Sequence, residues 1–338
     1  MNDTIRSLLC TAALTAAAAT ALAQERYRGM CDASAAVALG GGHFVVADDE
    51  SDVLRIYRRG AAEPVGATNL VDYLHNRQPG GKPTEADIEG AARIGERIYW
   101  IGSHARKGKS GEVDPHRQRL FATEIVATGT VPGVRAARGG PHESLLAELL
   151  ADPRFAVLVD AAARPPEAPG GLNIEGLAAT PDGGLLIGFR NPVPDGRALV
   201  VPLRNPAAVI DSGAPPVFGE LIRLDLGGRG IRSIERVGDA LLIVAGPFGT
   251  AKRSTKRSTN GPVFALFRWS GAAAQAPSFV RALDAGTFRP EALFVDPDAN
   301  ELVLLSDDGD ERIGSAECKD KSVPSDRKSF RARALPLR

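Results

Sequence analysis

The stretch "LNIEGLAATPDGGLLIGFRN", residues 172–191, contains two apolar segments joined by a Pro-Asp-Gly-Gly turn. Short apolar segments on either side of a Gly-rich turn are typical of a β-hairpin. The first segment carries one acidic side chain, Glu175, directly before Gly176. Burying a carboxylate in an apolar strand is costly, so we expect this strand end to face a polar site.

The same pattern recurs four more times along the chain. Each copy is a short strand of small and apolar residues, a Gly- or Asp-rich turn and a more apolar second strand. The other copies begin at residues 31, 86, 230 and 288. Most copies are followed by a third alternating strand: "VLRIYRR" (53–59), "RLFATEIV" (119–126), "ELIRLDL" (220–226) and "FALFRWS" (264–270).

A period of about 50 residues built from β-hairpins indicates the blades of a β-propeller rather than a helical solenoid. The sequence therefore predicts an all-β fold with about five blades, in which residues 24–338 form a single domain. A sixth blade within residues 192–226 stays open, as does a β-sandwich of repeated hairpins. Leucines at helical spacing end at Asp152-Pro153, which predicts a short helical insertion near residues 141–152.

The first 23 residues have the features of a secretory signal peptide. An Ala- and Leu-rich segment follows Arg6, and Ala21-Leu22-Ala23 forms a small-x-small cleavage site before Gln24. The alternative is an Ala-rich helix that is retained in the fold. We therefore expect export to the periplasm or secretion, and no membrane span once the signal peptide is removed.

Removal of the signal peptide leaves two cysteines, Cys31 and Cys318, near opposite ends of the mature chain. In an oxidising compartment such a pair favours a disulfide over two buried thiols. A propeller must also close its ring of blades to avoid exposed strand edges. We expect "ERYRG" (25–29) to pair with "SFRARAL" (329–335), and the disulfide to hold this seam.

The charge balance bears on the kind of partner. The chain has 338 residues, with 41 Lys and Arg against 41 Asp and Glu. Because there is no basic surplus, the composition does not favour binding to nucleic acid. We expect a monomer whose ligand, a small molecule or a protein, the sequence does not identify.

In a propeller the first strand of each blade lines the central channel, so equivalent residues converge on one axis. Gathered carboxylates repel one another unless a positive charge neutralises them. An oxygen-only set suits Ca²⁺ better than Zn²⁺, so we predict Ca²⁺ as the bound ion. We expect no nucleotide or organic cofactor. The predicted metal ligands are Glu89, Glu175 and Glu291, with Ser34 and Ser233 at the equivalent positions of the other two blades, and Asp32, Asp87 and Asn173 as nearby oxygen donors.

Arginines beside these positions offer two alternatives. Arg190, Arg232 and Arg289 could pair with the carboxylates and fill the channel without a metal, or they could hold a phosphate or carboxylate ligand. The residues that follow the second strands form another ring, at the opposite rim or at the channel mouth. Its members are Asp48-Asp49, Ser103-His104, Arg190-Asn191, Pro247 and Asp307-Asp308.

Catalytic roles are assigned as hypotheses within these rings. His104 is the candidate general base because histidine changes charge near neutral pH, and an exposed loop histidine without a role is the alternative. Arg190 is the candidate group for holding an anionic substrate. The candidate substrate-binding residues are Arg232, Arg289, Asn191, Asp48 and Asp307.

Four stretches together carry a family resemblance: "CDASAAVAL…FVVADDE", "EADIEGAARIGERIYWIGSH", "NIEGLAATPDGGLLIGFRNP" and "GRGIRSIE…LIVAGP". They resemble the bacterial family of domain of unknown function 3616, over almost the whole mature chain. The Glu-Gly strand start is also similar to calcium-dependent propellers of the phytase-like, gluconolactonase and paraoxonase families. That resemblance implies metal at Glu89, Glu175 and Glu291, and a metal-dependent hydrolase of phosphoesters or lactones. The alternative is a non-catalytic propeller that binds a ligand or a protein.

Overall fold

Residues 24–248, 263–283 and 286–337 are described by the structure, which is a computed structural model. The predicted signal peptide lies outside these residues. Within them, the strands form five antiparallel sheets of four strands each and one small hairpin. The innermost strands of successive sheets contact one another in a closed ring, the fifth against the first. The predicted five-bladed β-propeller is therefore confirmed, with few helices.

The strands of the first three blades follow the chain in order. Strand β1 (Gln24–Arg28) precedes them. Blade 1 comprises β2 (Ala35–Gly40), β3 (His43–Asp48), β4 (Ser51–Arg58) and β5 (Gly66–Asn69). Blade 2 comprises β6 (Ile88–Ile94), β7 (Arg97–Gly102), β8 (Leu120–Thr128) and β9 (Val131–Ala136). Blade 3 comprises β10 (Asn173–Ala179), β11 (Leu185–Asn191), β12 (Arg197–Leu203) and β13 (Ile222–Asp225).

The last two blades complete the ring. Blade 4 comprises β14 (Gly230–Val237), β15 (Ala240–Gly246), β16 (Ala265–Trp269) and β17 (Ser278–Ala282). Blade 5 begins with β18 (Pro290–Asp296) and β19 (Glu301–Ser306). The hairpin of β20 (Arg312–Ile313) and β21 (Ala316–Glu317) follows, and β22 (Ser329–Pro336) then continues blade 5.

Blade 5 is closed by the amino-terminal strand, as predicted. Strand β1 pairs antiparallel with β22, with Tyr27 opposite Phe330. The predicted disulfide between Cys31 and Cys318 is also confirmed. The rings of Tyr27, Phe44 and Phe330 are fully buried and pack together between blades 5 and 1. Backbone pairing, a covalent bond and aromatic packing thus hold the same seam.

Two details of the repeat differ from the prediction. In blade 3 the segment "ELIRLDL" supplies the fourth strand, β13, whereas the third strand is β12. No sixth blade lies in residues 192–226, because β12 and β13 complete blade 3 there. In blade 4 the repeat was predicted one residue too late, at Ser233. Pairing in four inner strands skips one residue at the same point, and the skipped residues are Glu89, Glu175, Arg232 and Glu291.

The glycine after the repeated glutamate is explained by close packing between inner strands. A Cβ atom on Gly176 would lie 2.8 Å from Cγ2 of Ile231 in the next blade. A Cβ atom on Gly90 would lie 3.0 Å from Cβ of Leu177. Larger side chains at these two positions would push neighbouring blades apart, so Glu89 and Glu175 are followed by glycine, whereas Glu291 is followed by the small residue Ala292.

The helical insertion is confirmed between blades 2 and 3. It contains α1 (Leu145–Ala151) and α2 (Val157–Ala162). Leu149 and Phe155 are fully buried and pack in one core cluster with Phe189 of blade 3. A third helix, α3 (Pro206–Ser212), lies between β12 and β13. Among the described residues, no helix is both long enough and apolar enough to cross a membrane.

Candidate functional site

The bulged residues of the inner strands converge at the channel axis. Glu89, Glu175 and Glu291 each have a carboxylate oxygen within 4.8 Å of the others. All three side chains are buried, and Glu175 is 1% exposed. A β-bulge re-aims the side chain of the extra residue, which explains how an apolar strand directs one carboxylate inward. The structure therefore brings together the three glutamates selected from the sequence.

Arginines neutralise one side of this cluster. Arg232 Nη2 lies 2.7 Å from Glu291 Oε1, and Arg232 Nε lies 3.5 Å from Glu175 Oε2. Arg190 Nη1 donates to Glu175 Oε1 at 2.6 Å, and Asn173 Nδ2 donates to the same oxygen at 2.9 Å. Glu175 and Glu291 are thus tied across blades 3, 4 and 5 by buried ion pairs, although Glu175 Oε2 and Glu291 Oε2 have no hydrogen-bond partner among the described residues. We call these two glutamates with Arg190 and Arg232 the arginine-braced side.

Carboxylates are less well compensated on the opposite side of the axis. Asp49, Asp87 and Glu89 each have an oxygen within 4.8 Å of the others. Arg117 Nη1 donates to Asp87 Oδ2 at 2.8 Å. Asp49 Oδ1 and Glu89 Oε2 are buried and have no hydrogen-bond partner among the residues that the structure describes. We call Asp49, Asp87 and Glu89 the open acidic side.

A third group links the axis to the disulfide seam. Asp32, Glu291 and Asp307 also have oxygens within 4.8 Å of one another. Asp32 follows Cys31 and forms a β-bridge with Asp307, which follows the end of β19. A Cβ atom on Gly309 would lie 2.5 Å from Asp32 Oδ2, so a side chain there would displace this carboxylate.

Burial and mutual repulsion favour the protonated form of several of these carboxyl groups. Burial raises the pKa of Glu89 well above its ordinary value, and the nearby Glu175 carboxylate raises it further. Burial also raises the pKa of Asp49 and Asp32, with added repulsion from Asp48 and Asp307 respectively. The pKa of Glu291 is raised to about 8 by burial, although Arg232 opposes the shift. The cluster therefore contains more carboxyl groups than its own arginines can neutralise, and without a further cation some of these groups stay protonated.

These groups line one cavity of about 410 Å³ at the channel mouth. Carboxylates outnumber basic side chains among its lining residues. The acidic lining residues are Asp32, Asp49, Glu50, Glu85, Asp87, Glu89, Glu167, Glu291 and Asp307. The basic lining residues are Lys109, Arg117, Arg190, Arg232 and Lys319. We call this space the axial cavity.

Other residues predicted for the site lie around the axial cavity without lining it. Asp48 is buried beside it and accepts a hydrogen bond from the backbone of Glu50, while burial raises the pKa of Asp48 to about 6. Asn191 donates to the carbonyl oxygens of Pro166 and Ala168. Arg289 pairs with Asp310 at 3.4 Å. These contacts tie down loops at the cavity rim.

Two further predicted residues also make structural contacts. Ser34 donates to the carbonyl oxygens of Ile88 and Ala47, which links blades 1 and 2. Ser233 is not the residue that points to the axis, because the bulge places Arg232 there instead. The equivalent position in blade 4 is thus basic, and this arginine provides the charge that the two nearest glutamates require.

His104 is buried in a different cavity. It is 2% exposed and lines a space of about 320 Å³ beneath helices α1 and α2. The axial cavity is lined by its neighbour Ala105. The prediction that His104 acts as a base at the axis is therefore not supported by its position. His104 has a φ of 55°, a left-handed backbone conformation at the point where the chain leaves β7.

Sequence reasoning missed Arg117 as the partner of Asp87, and it selected Asp48 rather than Asp49 for ligand binding. Arg117 lies in the loop before β8, far from any copy of the repeat, and no motif marks it. The two aspartates follow the same strand, and only Asp49 lines the axial cavity. Strand alternation past the end of β3 could have distinguished them if the strand end had been known.

The family described as "Protein of unknown function (DUF3616)" matches residues 32–128 and 134–287. The chain belongs to this family. No curated protein sequence matches the chain.

Several solved propeller structures are similar at low identity. A Thermus thermophilus protein described as an oxidoreductase (glucose dehydrogenase) is 14% identical, with a TM-score of 0.43 over 93% of this chain and 100% of its own. The PQQ-bound aldose sugar dehydrogenase of Streptomyces coelicolor is 13% identical, with a TM-score of 0.41 over 93% and 99%. The β-propeller domain of Cps50 (Swd1) from Myceliophthora thermophila is 8% identical, with a TM-score of 0.37 over 92% and 97%. Similarities of this size carry no functional inference.

Proposed function

We propose that this member of the family binds a divalent cation, Ca²⁺, in the axial cavity, with Asp49, Asp87 and Glu89 as protein ligands. The observation that carries this proposal is that Asp49 and Glu89 each have a buried oxygen without a hydrogen bond, Asp49 Oδ1 and Glu89 Oε2, and neither side chain forms an ion pair with a described residue. Glu175 and Glu291 also have one such oxygen each, but both carboxylates are paired with Arg232. One carboxylate oxygen from each of Asp49, Asp87 and Glu89 lies within 4.8 Å of the other two, so the three groups can share one cation. A cation there would satisfy both oxygens and offset the excess negative charge.

The chemistry of the donors favours calcium over softer metals. Every candidate ligand is a carboxylate oxygen, and no cysteine or histidine lines the described part of the axial cavity. Calcium accepts six to eight oxygen ligands in flexible geometry, whereas zinc prefers nitrogen and sulfur in a tetrahedral site. The cavity of about 410 Å³ also leaves space for water or a ligand to complete the coordination.

Hydrolysis of phosphoesters or lactones is a second candidate function. A bound divalent cation supplies charge that polarises a phosphoryl or carbonyl oxygen. Arg117 and Lys109 line the same cavity and could hold an anionic substrate, together with the face of Arg190 that is not used by Glu175. Glu85 lines the cavity without being a proposed ligand, burial raises its pKa, and it could accept the proton of attacking water. The alternative is a non-catalytic propeller that binds a ligand or partner through the cation.

The cation is tested by calorimetry on protein treated with chelator and then titrated with CaCl₂. We expect saturable binding in the wild type and a loss of at least tenfold in affinity in Glu89→Gln. Glu235→Gln is the matched control. Glu235 also lies on an inner strand, and burial raises its pKa to about 8, but it does not line the axial cavity. Absence of binding in the wild type, or equal affinity in the two variants, would contradict the proposal.

Catalysis is tested by a panel of phosphoesters and lactones assayed with Ca²⁺ and with chelator. Turnover that requires Ca²⁺ and is lost in Glu89→Gln and Lys109→Met would support a hydrolase. Calcium binding without turnover on any substrate would favour the non-catalytic module.

Export is the third element of the proposal. The disulfide between Cys31 and Cys318 supports folding outside the reducing cytosol, since such bonds persist mainly in oxidising compartments. Fractionation of cells that produce the full chain should place a product beginning at Gln24 in the periplasm or the medium. A cytosolic product that retains residues 1–23 would contradict export.

A further inference from the structure

The cavity that contains His104 has a different character from the axial cavity. Its volume is about 320 Å³, and helices α1 and α2 form one wall while the loop between β7 and β8 forms the other. Most of its lining is apolar, including Leu146, Leu150 and Ala162. Val113 and Val159 line the same space and are 54% and 48% exposed. We call this space the His104 cavity.

The hydrogen bonds of His104 fix which ring nitrogen carries the hydrogen. Nδ1 lies 2.9 Å from the carbonyl oxygen of Gly102. A carbonyl oxygen only accepts hydrogen bonds, so Nδ1 is the donor and Nε2 of the neutral ring is left with a lone pair. Nε2 is buried and has no hydrogen-bond partner within the described parts of the chain. Burial lowers the pKa of His104 to about 4, so the ring is neutral at physiological pH.

The backbone holds this ring in an uncommon conformation. His104 has a φ of 55°, a left-handed conformation that costs a residue with a side chain on the order of 1–3 kcal/mol. Its backbone N–H donates to the carbonyl of Arg117, and the preceding Ser103 donates to the carbonyl of Asp87. The loop is therefore tied down on both sides, and the ring is pre-positioned in an apolar wall.

The polar groups around the His104 cavity are already occupied by protein contacts. Arg106 Nε donates to the carbonyl of Ala162 at 2.8 Å, and its Nη1 donates to the carbonyl of Gly111 at 3.0 Å. Asp114 accepts a hydrogen bond from the backbone of His116 and lies near Lys107 and Arg117. Gln118 also lines the space and is partly exposed to solvent, so among the described polar lining residues the buried group without a partner is one acceptor, the Nε2 atom of His104.

We propose that the His104 cavity binds a small apolar molecule that carries one hydroxyl group, of which a phenol is the simplest form. The apolar body packs against the faces of α1 and α2. The hydroxyl donates its hydrogen to His104 Nε2 after a small displacement of the cavity wall, because this atom has almost no accessible surface in the structure. Pockets for small ligands combine an apolar lining with a few polar groups that set orientation, and the volume of this cavity is within their range. Binding in the His104 cavity does not depend on the cation, because none of the proposed metal ligands lines this cavity.

The test compares two probes that differ by one hydrogen-bond donor, 1-naphthol and 1-methoxynaphthalene. Binding of each to the full chain is measured by calorimetry, once with Ca²⁺ and once with chelator. We expect 1-naphthol to bind about tenfold more tightly than the ether, the size expected for one buried hydrogen bond. The preference should be the same with and without Ca²⁺.

Three variants locate the binding. His104→Asn keeps a residue that tolerates positive φ but removes the imidazole, so it should abolish the preference for 1-naphthol. Ala147→Phe should weaken both probes at least tenfold, because exposed Ala147 lines the cavity. Ala151→Phe is its matched control on the same helix, since exposed Ala151 lies outside the lining, and it should leave both affinities unchanged.

Each other outcome overturns the inference. If neither probe binds the wild type, the cavity holds only water. If both probes bind equally, Nε2 does not recognise a donor. If Ala147→Phe and Ala151→Phe bind alike, the probes bind elsewhere. Ala147→Phe and Ala151→Phe keep the test valid even if circular dichroism shows that His104→Asn fails to fold.

Discussion

The two sides of the axial cavity both contain buried carboxylates, but they differ in how far arginine side chains neutralise them. On the arginine-braced side, Glu175 and Glu291 share Arg232, and Arg190 completes the pairing of Glu175. On the open acidic side, Arg117 pairs with Asp87, and one oxygen each of Asp49 and Glu89 has no partner within the described residues. Carboxylates that lie close together therefore do not by themselves indicate a metal site. Each side has two buried oxygens without a hydrogen bond, but the carboxylates of the arginine-braced side are paired with arginine, whereas Asp49 and Glu89 have no ion pair within the described residues.

The largest expected effect on stability comes from removing Arg232, which pairs with both Glu175 and Glu291. Arg232→Met should lower the free energy of unfolding by about 3–5 kcal/mol at pH 8, because it leaves two buried carboxylates without their shared cation. Arg117→Met on the open side should cost only about 1 kcal/mol, since Arg117 is partly exposed and pairs near solvent. Denaturant unfolding of the two variants measures this contrast. Equal losses would contradict the division of the cavity into two sides.

Removing the disulfide between Cys31 and Cys318 should have the next largest effect on stability. Replacing Cys31 and Cys318 together by serine should lower the free energy of unfolding by about 2–5 kcal/mol. The disulfide lies beside Asp32 rather than in the open acidic side, so the affinity for Ca²⁺ should fall much less than in Glu89→Gln. Calorimetry on the double variant checks this. Complete loss of Ca²⁺ binding with retained folding would place the cation at Asp32 and Asp307 instead.

Two conservative substitutions should change stability in opposite directions in cation-free protein at pH 8. Glu175→Gln should destabilise by about 1–3 kcal/mol, because Arg190 loses its charged partner and Arg232 keeps only Glu291. Glu89→Gln should stabilise by about 1 kcal/mol, because glutamine needs neither a buried charge nor the uptake of a proton on folding at pH 8. Thermal and denaturant unfolding of both variants measure the signs. Destabilisation by both substitutions would show that Glu89, like Glu175, stabilises the folded state.

The last effect concerns pH and is small for each single pH unit. The folded protein keeps protons on carboxyl groups that the unfolded chain releases, because the pKa of Glu291 is raised from 4.5 to about 8 and that of Glu89 is also raised. Folding stability without a cation should therefore decrease between about pH 4.5 and 8, by about 1 kcal/mol per pH unit. Stability is greatest below the unfolded pKa for these groups and is lost as pH rises through the folded value.

Saturating Ca²⁺ should reduce this pH slope, because the bound cation replaces protons as the neutralising charge. Denaturant unfolding at pH 5, 6, 7 and 8, with Ca²⁺ and with chelator, gives both slopes. Stability that rises with pH in chelated protein would contradict the inferred excess of buried carboxyl groups.

Much of the fold could be predicted because the repeat is local and regular. Each hairpin is marked by its own turn residues, and the pairing of β1 with β22 follows from the need to close a ring. The third strand of blade 3 was missed because β12 contains Pro202 and follows a proline-containing loop, whereas "ELIRLDL" alternates more clearly. Proline is tolerated in this strand because its carbonyl accepts from Gly219 and it needs no N–H there.

The site could be predicted only in part. Three glutamates were identified because bulged residues recur at one point in the repeat. The bulge itself is not visible in the sequence, and a shift of one residue exchanged Ser233 for Arg232, with the opposite consequence for charge. His104 was assigned to the axis because it follows β7, but its positive φ turns it into another cavity. Arg117 and the pairing of Asp87 depend on how a long loop returns to the axis, which local patterns do not encode.

The central claim is that the open acidic side holds a cation while the arginine-braced side does not need one. A crystal structure of the protein grown with CaCl₂, with anomalous data collected to identify calcium, tests this directly. The account predicts one calcium peak in contact with the carboxylates of Asp49 and Glu89, with Arg232 still bridging Glu175 and Glu291. An axial cavity that contains only water at millimolar calcium, or a peak that displaces Arg232 to lie between Glu175 and Glu291, would contradict it.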